Sequence, residues 1–289
     1  MTDTMTHSRA RPQGVIWLAK GVKAEADRMK LTLVGAGVAF FGLLALFPGI
    51  GAMVAIAGLL VDPAMVVDQM ETLSSVLPAA AAEIIVGQAQ EVVSNRSGGL
   101  GLAAAAGLLL SLYSASKAMQ GIMDGLNLVH GVEEQRGLIR ATVLKLSLTL
   151  GLILGVLVCV AVGAVVPAVL AWLPLPAGQE TLIMLVRWPL LLIIAGAGIV
   201  LTYRVAPARR FPSWSMLVPG AALACVLWIL GSIGFAIYVR SFGSYNETFG
   251  AIGGTIILLM WMWLSACIVL LGAVVSKLLE ERSEKSDTT

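Results

Sequence analysis

Six long apolar runs, each bounded by charge, glycine or proline, restrict this chain more than any other feature. The first covers residues 31–61 and contains Pro48 and Gly49. The others cover 99–126, 141–173, 181–205, 215–239 and 251–275, and Pro174 and Pro176 close the third. A helix needs about 20 residues, at ~1.5 Å rise each, to cross the hydrocarbon core of a bilayer. The first run exceeds that, and a kink or tilt at Pro48 accommodates the excess. It is too long and starts too late for a cleaved signal peptide. Composition agrees: 58% of the residues are apolar and 12% charged, whereas soluble domains carry about 25% charge. The expected fold is an all-α integral membrane protein with six transmembrane helices, over residues 31–276.

The charges are segregated, and that fixes an orientation. Arg9, Arg11, Lys20, Lys23, Arg28 and Lys30 precede the first run. Arg136, Arg140 and Lys145, then Arg204, Arg209 and Arg210, then Lys277, Arg282 and Lys285 follow on the same side of a six-span layout. The opposite side offers Arg96, Arg187 and Arg240. By the positive-inside rule both termini are cytoplasmic. The formal net charge of +2 gives no reason to expect a nucleic-acid partner.

Between the spans the sequence changes character. Residues 1–13 read as a disordered cytoplasmic tail and 277–289 as a charged one. In 14–30, Val15, Leu18, Val22, Ala26 and Met29 recur at helical spacing among Lys20, Lys23, Asp27 and Lys30. That pattern predicts an amphipathic helix, either lying at the membrane surface or packed on the bundle. The outer loop, 62–98, mixes Asp62, Asp68, Glu71, Glu83 and Glu91 with apolar residues, and Pro78 divides it into two short amphipathic helices. Cys159, Cys225 and Cys267 lie in apolar runs without paired spacing, which predicts buried small hydrophobes. No period of 20 to 50 residues repeats, and no inverted repeat of the transporter kind is evident. No cofactor or metal is expected.

Polar chemistry enters the membrane in the second span. Tyr113, Ser116, Lys117, Gln120, Asp124 and Asn127 step by three or four residues and share one helix face. A charge near the bilayer centre costs roughly 2.5–3.5 kcal/mol on insertion scales, so such a face turns to protein or water. It is either the lining of a substrate or proton path, or the stretch where the helix emerges into the cytoplasmic interface with Lys117 snorkelling. Arg136 and the basic turn of Arg204, Arg209 and Arg210 beside Trp214 suit either topology anchors or anionic lipid headgroups. Gly151 with Gly155, and Gly250 with Gly254, form GxxxG pairs that let helices approach. Trp261 and Trp263 lie too deep in the last span to be interfacial belt residues.

Four stretches together carry a family resemblance. They are AFFGLLALFP (39–48), SASKAMQGIMDGLNLVHGVEEQR (114–136), TYRVAPARRFPSWSMLVPGA (202–221) and YNETFGAIGGTIILLMWMWLSACIVLLGAVV (245–275). In order and spacing they resemble the YihY/BrkB membrane proteins, also labelled ribonuclease-BN-like, from about residue 20 to 279. Ser116, Asn127 and Arg136 occupy polar positions that the family favours. Ala45, Phe249 and Val274 depart from it, standing where the family commonly has Ser, Tyr and Glu. The resemblance implies a six-span bacterial inner-membrane protein, associated with virulence, serum resistance and proposed envelope lipid transport. The ribonuclease label fits the residues poorly. Hydrolytic nucleases need clustered carboxylates or histidines, whereas this chain has His7 in a tail, His130 in a loop and no acidic cluster at ligand spacing. The polar face of the second span, the basic turn from Arg204 to Arg210 and the amphipathic outer loop lead to an expectation of transport or flipping of a lipid or other amphipathic envelope molecule, with membrane lipids as partners and homo-oligomers compatible. A non-transporting scaffold is the alternative, and an intramembrane enzyme is disfavoured for want of Ser/His, paired-Asp or HExxH arrangements.

Overall fold

The computed structural model describes residues 14–60, 100–172, 179–209, 213–241 and 243–287. The expected tail 1–13, the outer loop 62–98 with its short helices, and Arg210 lie outside the described residues. Everything described is helical or connecting turn: α1 (Gly14–Arg28), α2 (Leu31–Leu60), α3 (Leu100–His130), α4 (Leu138–Trp172), α5 (Gln179–Val205), α6 (Trp214–Ser241) and α7 (Gly243–Asp287). Among the described residues, five helices contain stretches long and apolar enough to cross a membrane: Leu31–Gly49, Leu138–Cys159, Trp188–Val205, Trp214–Val239 and Gly253–Ser283. The helix expected as the second of six spans, α3, is not among the five.

Between helices in lipid there is little hydrophobic driving force, so close association depends on small residues that let backbones meet. The structure shows where that happens. On α2, Gly35, Gly42 and Gly49 recur every seven residues. A Cβ at Gly35 would lie 2.6 Å from Cys267 Sγ, at Gly42 2.7 Å from Met262 Cε, and at Gly49 2.7 Å from Ser111 Oγ. On α3, Gly121 abuts Val38 and Gly125 abuts Leu270 and Val34. These glycines draw α2, α3 and α7 into one body. Ser111 Oγ then donates to the Ala45 carbonyl at 2.9 Å, close to the Pro48 interruption of α2. Trp263 Nε1 donates to the Thr32 carbonyl at 3.0 Å.

The tightest crossing joins α6 to α7. A Cβ on Gly272 would stand 2.6 Å from the Gly220 carbonyl and 2.8 Å from Ala224 Cβ, and one on Gly220 would overlap Ser276 and the Gly272 carbonyl. Tyr203 of α5, 1% exposed, fills the remaining space and donates its hydroxyl to the Val269 carbonyl. Trp228 of α6 and Trp261 of α7 serve the same contact. Trp228 Nε1 donates to Ser265 Oγ at 3.0 Å, Trp261 Nε1 to Ser232 Oγ at 3.3 Å, and the two rings meet edge to face.

Among the described residues, a Cβ on Gly151 or Gly155 would meet nothing within 4 Å, so no described helix of this chain packs closely on either. Spacing places two glycines on one face of a helix but does not say whether another helix arrives there. The close GxxxG approach falls at Gly121 and Gly125 instead. Gly250 and Gly254 both lie in α7, with Gly254 buried.

Of the two placements for residues 14–30, the structure has α1 packed on the bundle. Trp17, Leu18, Val22 and Ala26 lie against a core that includes Leu126, Leu270, Val274 and Leu278, while Lys20, Lys23 and Asp27 are exposed. Its end is tied ionically, with Glu25 2.5 Å from Lys277 and 2.6 Å from Arg28. The step into α2 turns on Lys30, which has φ +50°. Its amide bonds back to the Asp27 carbonyl while its own carbonyl accepts from Leu33 and Val34, so one residue ends α1 and begins α2.

Candidate functional site

The six polar residues of α3 share one side of the helix, but the surroundings divide them. Ser116 and Asn127, each 5% exposed, turn into the packed body. Ser116 Oγ donates to the Tyr113 carbonyl one turn back, at 2.8 Å. Tyr113, 58% exposed, and Asp124 face outward, with Lys117 and Gln120 half-buried between them. Lys117 Nζ stands 5.7 Å from the Tyr113 ring centroid. From Tyr113 to Asp124 this outward stripe runs about 16 Å at ~1.5 Å per residue, around half the ~30 Å hydrocarbon thickness. Exposed Leu109, Leu110 and Leu128 border it, so polar and apolar surface lie side by side. Lys117, and Lys145 of α4, lie near enough to Asp124 to interact with it electrostatically.

Below the stripe, α3 ends in a Schellman cap. The Val132 amide bonds to the Asn127 carbonyl at 3.0 Å and the Gly131 amide to that of Leu128 at 3.2 Å, with Gly131 at φ +64°. This is the αL position glycine adopts without a Cβ penalty. The turn that follows is fastened to the end of α5. Arg136 donates to the carbonyls of Val205 (3.3 Å), Ala206 (3.0 Å) and Pro207, satisfying acceptors left free where the helix stops. Asn127 accepts from the Ala208 amide at 2.8 Å through Oδ1, and its Nδ2 donates to Glu134 at 3.4 Å. Glu134 is in turn 3.7 Å from Arg136.

These contacts give three of the basic residues partners within the protein. Arg136 is a clasp between two turns, since its guanidinium is occupied by the protein's own carbonyls. Arg209 pairs with Glu280 of α7 at 2.8 Å, and Arg204 lies over the Trp214 ring at 4.0 Å. Residue type and position on the chain do not separate a cation that meets lipid from one that meets a carbonyl 70 residues away.

Glu25 and His130, at this polar end, are displaced from their ordinary values. Glu25 is held down at about 2, chiefly by its hydrogen bond from Arg28, with Lys277 assisting and burial opposing. Burial pushes His130 down to about 3, and nearby Arg209 and Lys277 add to the effect. His130 is the C-cap residue of α3 and is neutral at physiological pH. Among the described residues, no three His, Cys, Asp or Glu groups gather closely enough to hold a metal ion.

Residues 22–289 match the family described as Virulence factor BrkB. The chain belongs to the BrkB family. Among its relatives, the ribonuclease-like protein YfkH of Bacillus subtilis is 30% identical over 272 residues, 87% of this chain and 91% of that protein. A UPF0761 membrane protein of Tolumonas auensis is 40% identical over 76 residues, 26% of this chain and 25% of that one. Another, from Enterobacter sp., is 38% identical over 90 residues, 31% of each. No solved structure matches the chain. BrkB membership agrees with the four stretches that carried the resemblance, and it makes this a membrane protein with several apolar helices.

Proposed function

We propose that this BrkB-family protein moves an amphipathic envelope molecule, a lipid or lipid-like compound, between the leaflets of a bacterial inner membrane. The observation that carries the reading is the outward stripe of α3. Tyr113 and Asp124 are exposed and Lys117 and Gln120 half-exposed on a helix that packs against α2, α4 and α7. Charge facing lipid tails is costly, so the stripe suits a headgroup track whose apolar borders leave the tails in the bilayer. In this reading α3 is the second of six spans, both termini are cytoplasmic, and the polar end formed by Glu25, Asn127, Arg136, Arg209 and Lys277 faces the cytoplasm, in keeping with the positive-inside rule.

The test is lipid movement in vesicles reconstituted with the purified protein. Asp124→Asn and Lys117→Ala are expected to abolish movement while leaving expression intact, and unchanged movement in both removes α3 as the track. Cysteine labelling along Tyr113, Lys117, Gln120 and Asp124, in a background without Cys159, Cys225 and Cys267, is expected to show water-accessible thiols. A C-terminal reporter found outside the cell would overturn the orientation.

A second reading, a non-transporting envelope protein acting through the outer loop 62–98, is favoured by the family's description as a virulence factor. It expects loop replacement to abolish function and stripe substitutions to be silent. YfkH's ribonuclease-like description belongs to that protein. Here His130 is a half-buried residue that closes α3, which suits it poorly to hydrolytic chemistry.

A further inference from the structure

The transport reading leaves the headgroup open, and the charges beside the stripe narrow it. Lys145 lies on the side of α4 turned towards the bundle: Ala141, Leu144 and Leu148 on that side are half-buried and Thr149 is buried. Leu144 and Leu148 pack against the core that contains Met119 and Met123 of α3. Lys145 is therefore carried towards α3, within electrostatic reach of Asp124. Lys117 stands two turns, about 10 Å, before Asp124 along α3, and its charge also acts on Asp124. The further charge near Asp124, Glu134, is engaged by Asn127 and Arg136. Two ammonium groups against one carboxylate leave the stripe with a single excess positive charge.

The neighbouring guanidiniums do not compete for this role. Arg136 is held by three carbonyls, and Arg209 by Glu280. The stripe's lysines, by contrast, sit beside exposed Tyr113, Leu109, Leu110 and Leu128, where a ligand with both a charge and a tail is matched.

We infer that the molecule carried on the α3 stripe has an anionic, phosphate-bearing headgroup, held between Lys117 of α3 and Lys145 of α4, an assignment that rests on the transport reading above. A lysine ammonium attracts phosphate as a point charge without demanding a fixed geometry, which suits a group that slides. Asp124, between the two cations, keeps the attraction weak enough for release, the condition that conduction imposes on any site along a path.

The test reads proximity rather than transport. Full-length protein with a photo-crosslinking phenylalanine at Tyr113 is placed in phosphatidylcholine nanodiscs containing trace labelled phosphatidylglycerol, phosphatidylcholine or ceramide. Phosphatidylglycerol is expected to crosslink at least about fivefold more than the other two, with Lys117→Gln and Lys145→Gln each reducing that preference by about fivefold or to parity. Lys117→Arg and Lys145→Arg, which retain the charge, are expected to retain the preference. Elution as a single species guards against misfolding, and the preference of the lysine-containing protein decides the matter even if a glutamine variant fails to fold.

Equal crosslinking of all three lipids, or a preference untouched by the double glutamine variant, overturns the inference. Competition by soluble glycerol 3-phosphate as strong as by short-chain phosphatidylglycerol overturns the assignment to a lipid. Headgroup preference without any lipid movement in vesicles removes the transport reading and leaves the lysine site. Movement blind to headgroup, with no preference, does the reverse.

Discussion

Gly131 and His130 show how much of this protein is decided by single residues at the end of one helix. Gly131 takes φ +64°, and a Cβ there would meet nothing within 4 Å, so the demand on that position is conformational alone. Gly131→Ala is expected to destabilise by about 1 kcal/mol and Gly131→Asn by less, since Asn tolerates the left-handed region. Melting of the detergent-solubilised protein checks it, and an alanine variant as stable as the parent refutes the strain argument. His130 next to it makes a pH prediction. Its folded value near 3 lies below the ordinary value of 6.5, so the unfolded chain binds a proton that the folded one refuses. Stability is therefore full above about 6.5 and declines as pH falls towards about 3. The decline is on the order of 2 kcal/mol between pH 6.5 and 5, and His130→Gln should flatten it. For Glu25, depressed to about 2 from 4.5, the stabilising contribution is present above about 4.5 and is lost as pH falls through about 2.

At the scale of elements, helix faces were legible and helix neighbours were not. The repeat of apolar residues in 14–30 marked the side of α1 that is buried, and the depth of Trp261 and Trp263 marked them as something other than belt residues. Which glycines matter could not be read the same way. Gly151 with Gly155 and Gly121 with Gly125 have identical spacing, yet among the described residues a neighbour lies against the second pair alone. Gly220 and Gly272, which make the closest backbone approach described, belong to no such pair with each other. Their signal is tertiary, because they sit on different helices 52 residues apart. Gly220→Leu is expected to disrupt the α6–α7 crossing, costing upwards of about 1–3 kcal/mol from overpacking, while Gly151→Leu leaves stability within about 0.5 kcal/mol. Melting of the two variants side by side tests this, and equal losses would refute the packing assignment.

At the scale of the whole molecule, one polar end gathers α1, the α3–α4 turn, the end of α5 and the far part of α7. Glu25 reaches Lys277 across 252 residues, and Arg209 reaches Glu280 across 71. Because Glu25 and Lys277 are mostly buried, removing one partner leaves the other uncompensated. Glu25→Lys or Lys277→Glu alone is expected to release α1 from α7, seen as faster proteolysis between residues 14 and 30. The double exchange is expected to restore protection. Failure of the exchange to rescue would mean that the Trp17, Leu18 and Val22 packing, rather than the ion pair, holds α1 in place.

The sequence by itself determined that this chain lives in a membrane as helices, because burying some 20 consecutive apolar residues is a local property of each run. It also placed the polar residues of α3 on one face, because helical periodicity is local too. Which of those residues face outward, which arginine closes a helix end and which glycine admits a neighbouring backbone are relations between segments tens to hundreds of residues apart. Only tertiary structure decided these, because a hydrogen bond or a close approach depends on what lies opposite a side chain, and no periodicity encodes that.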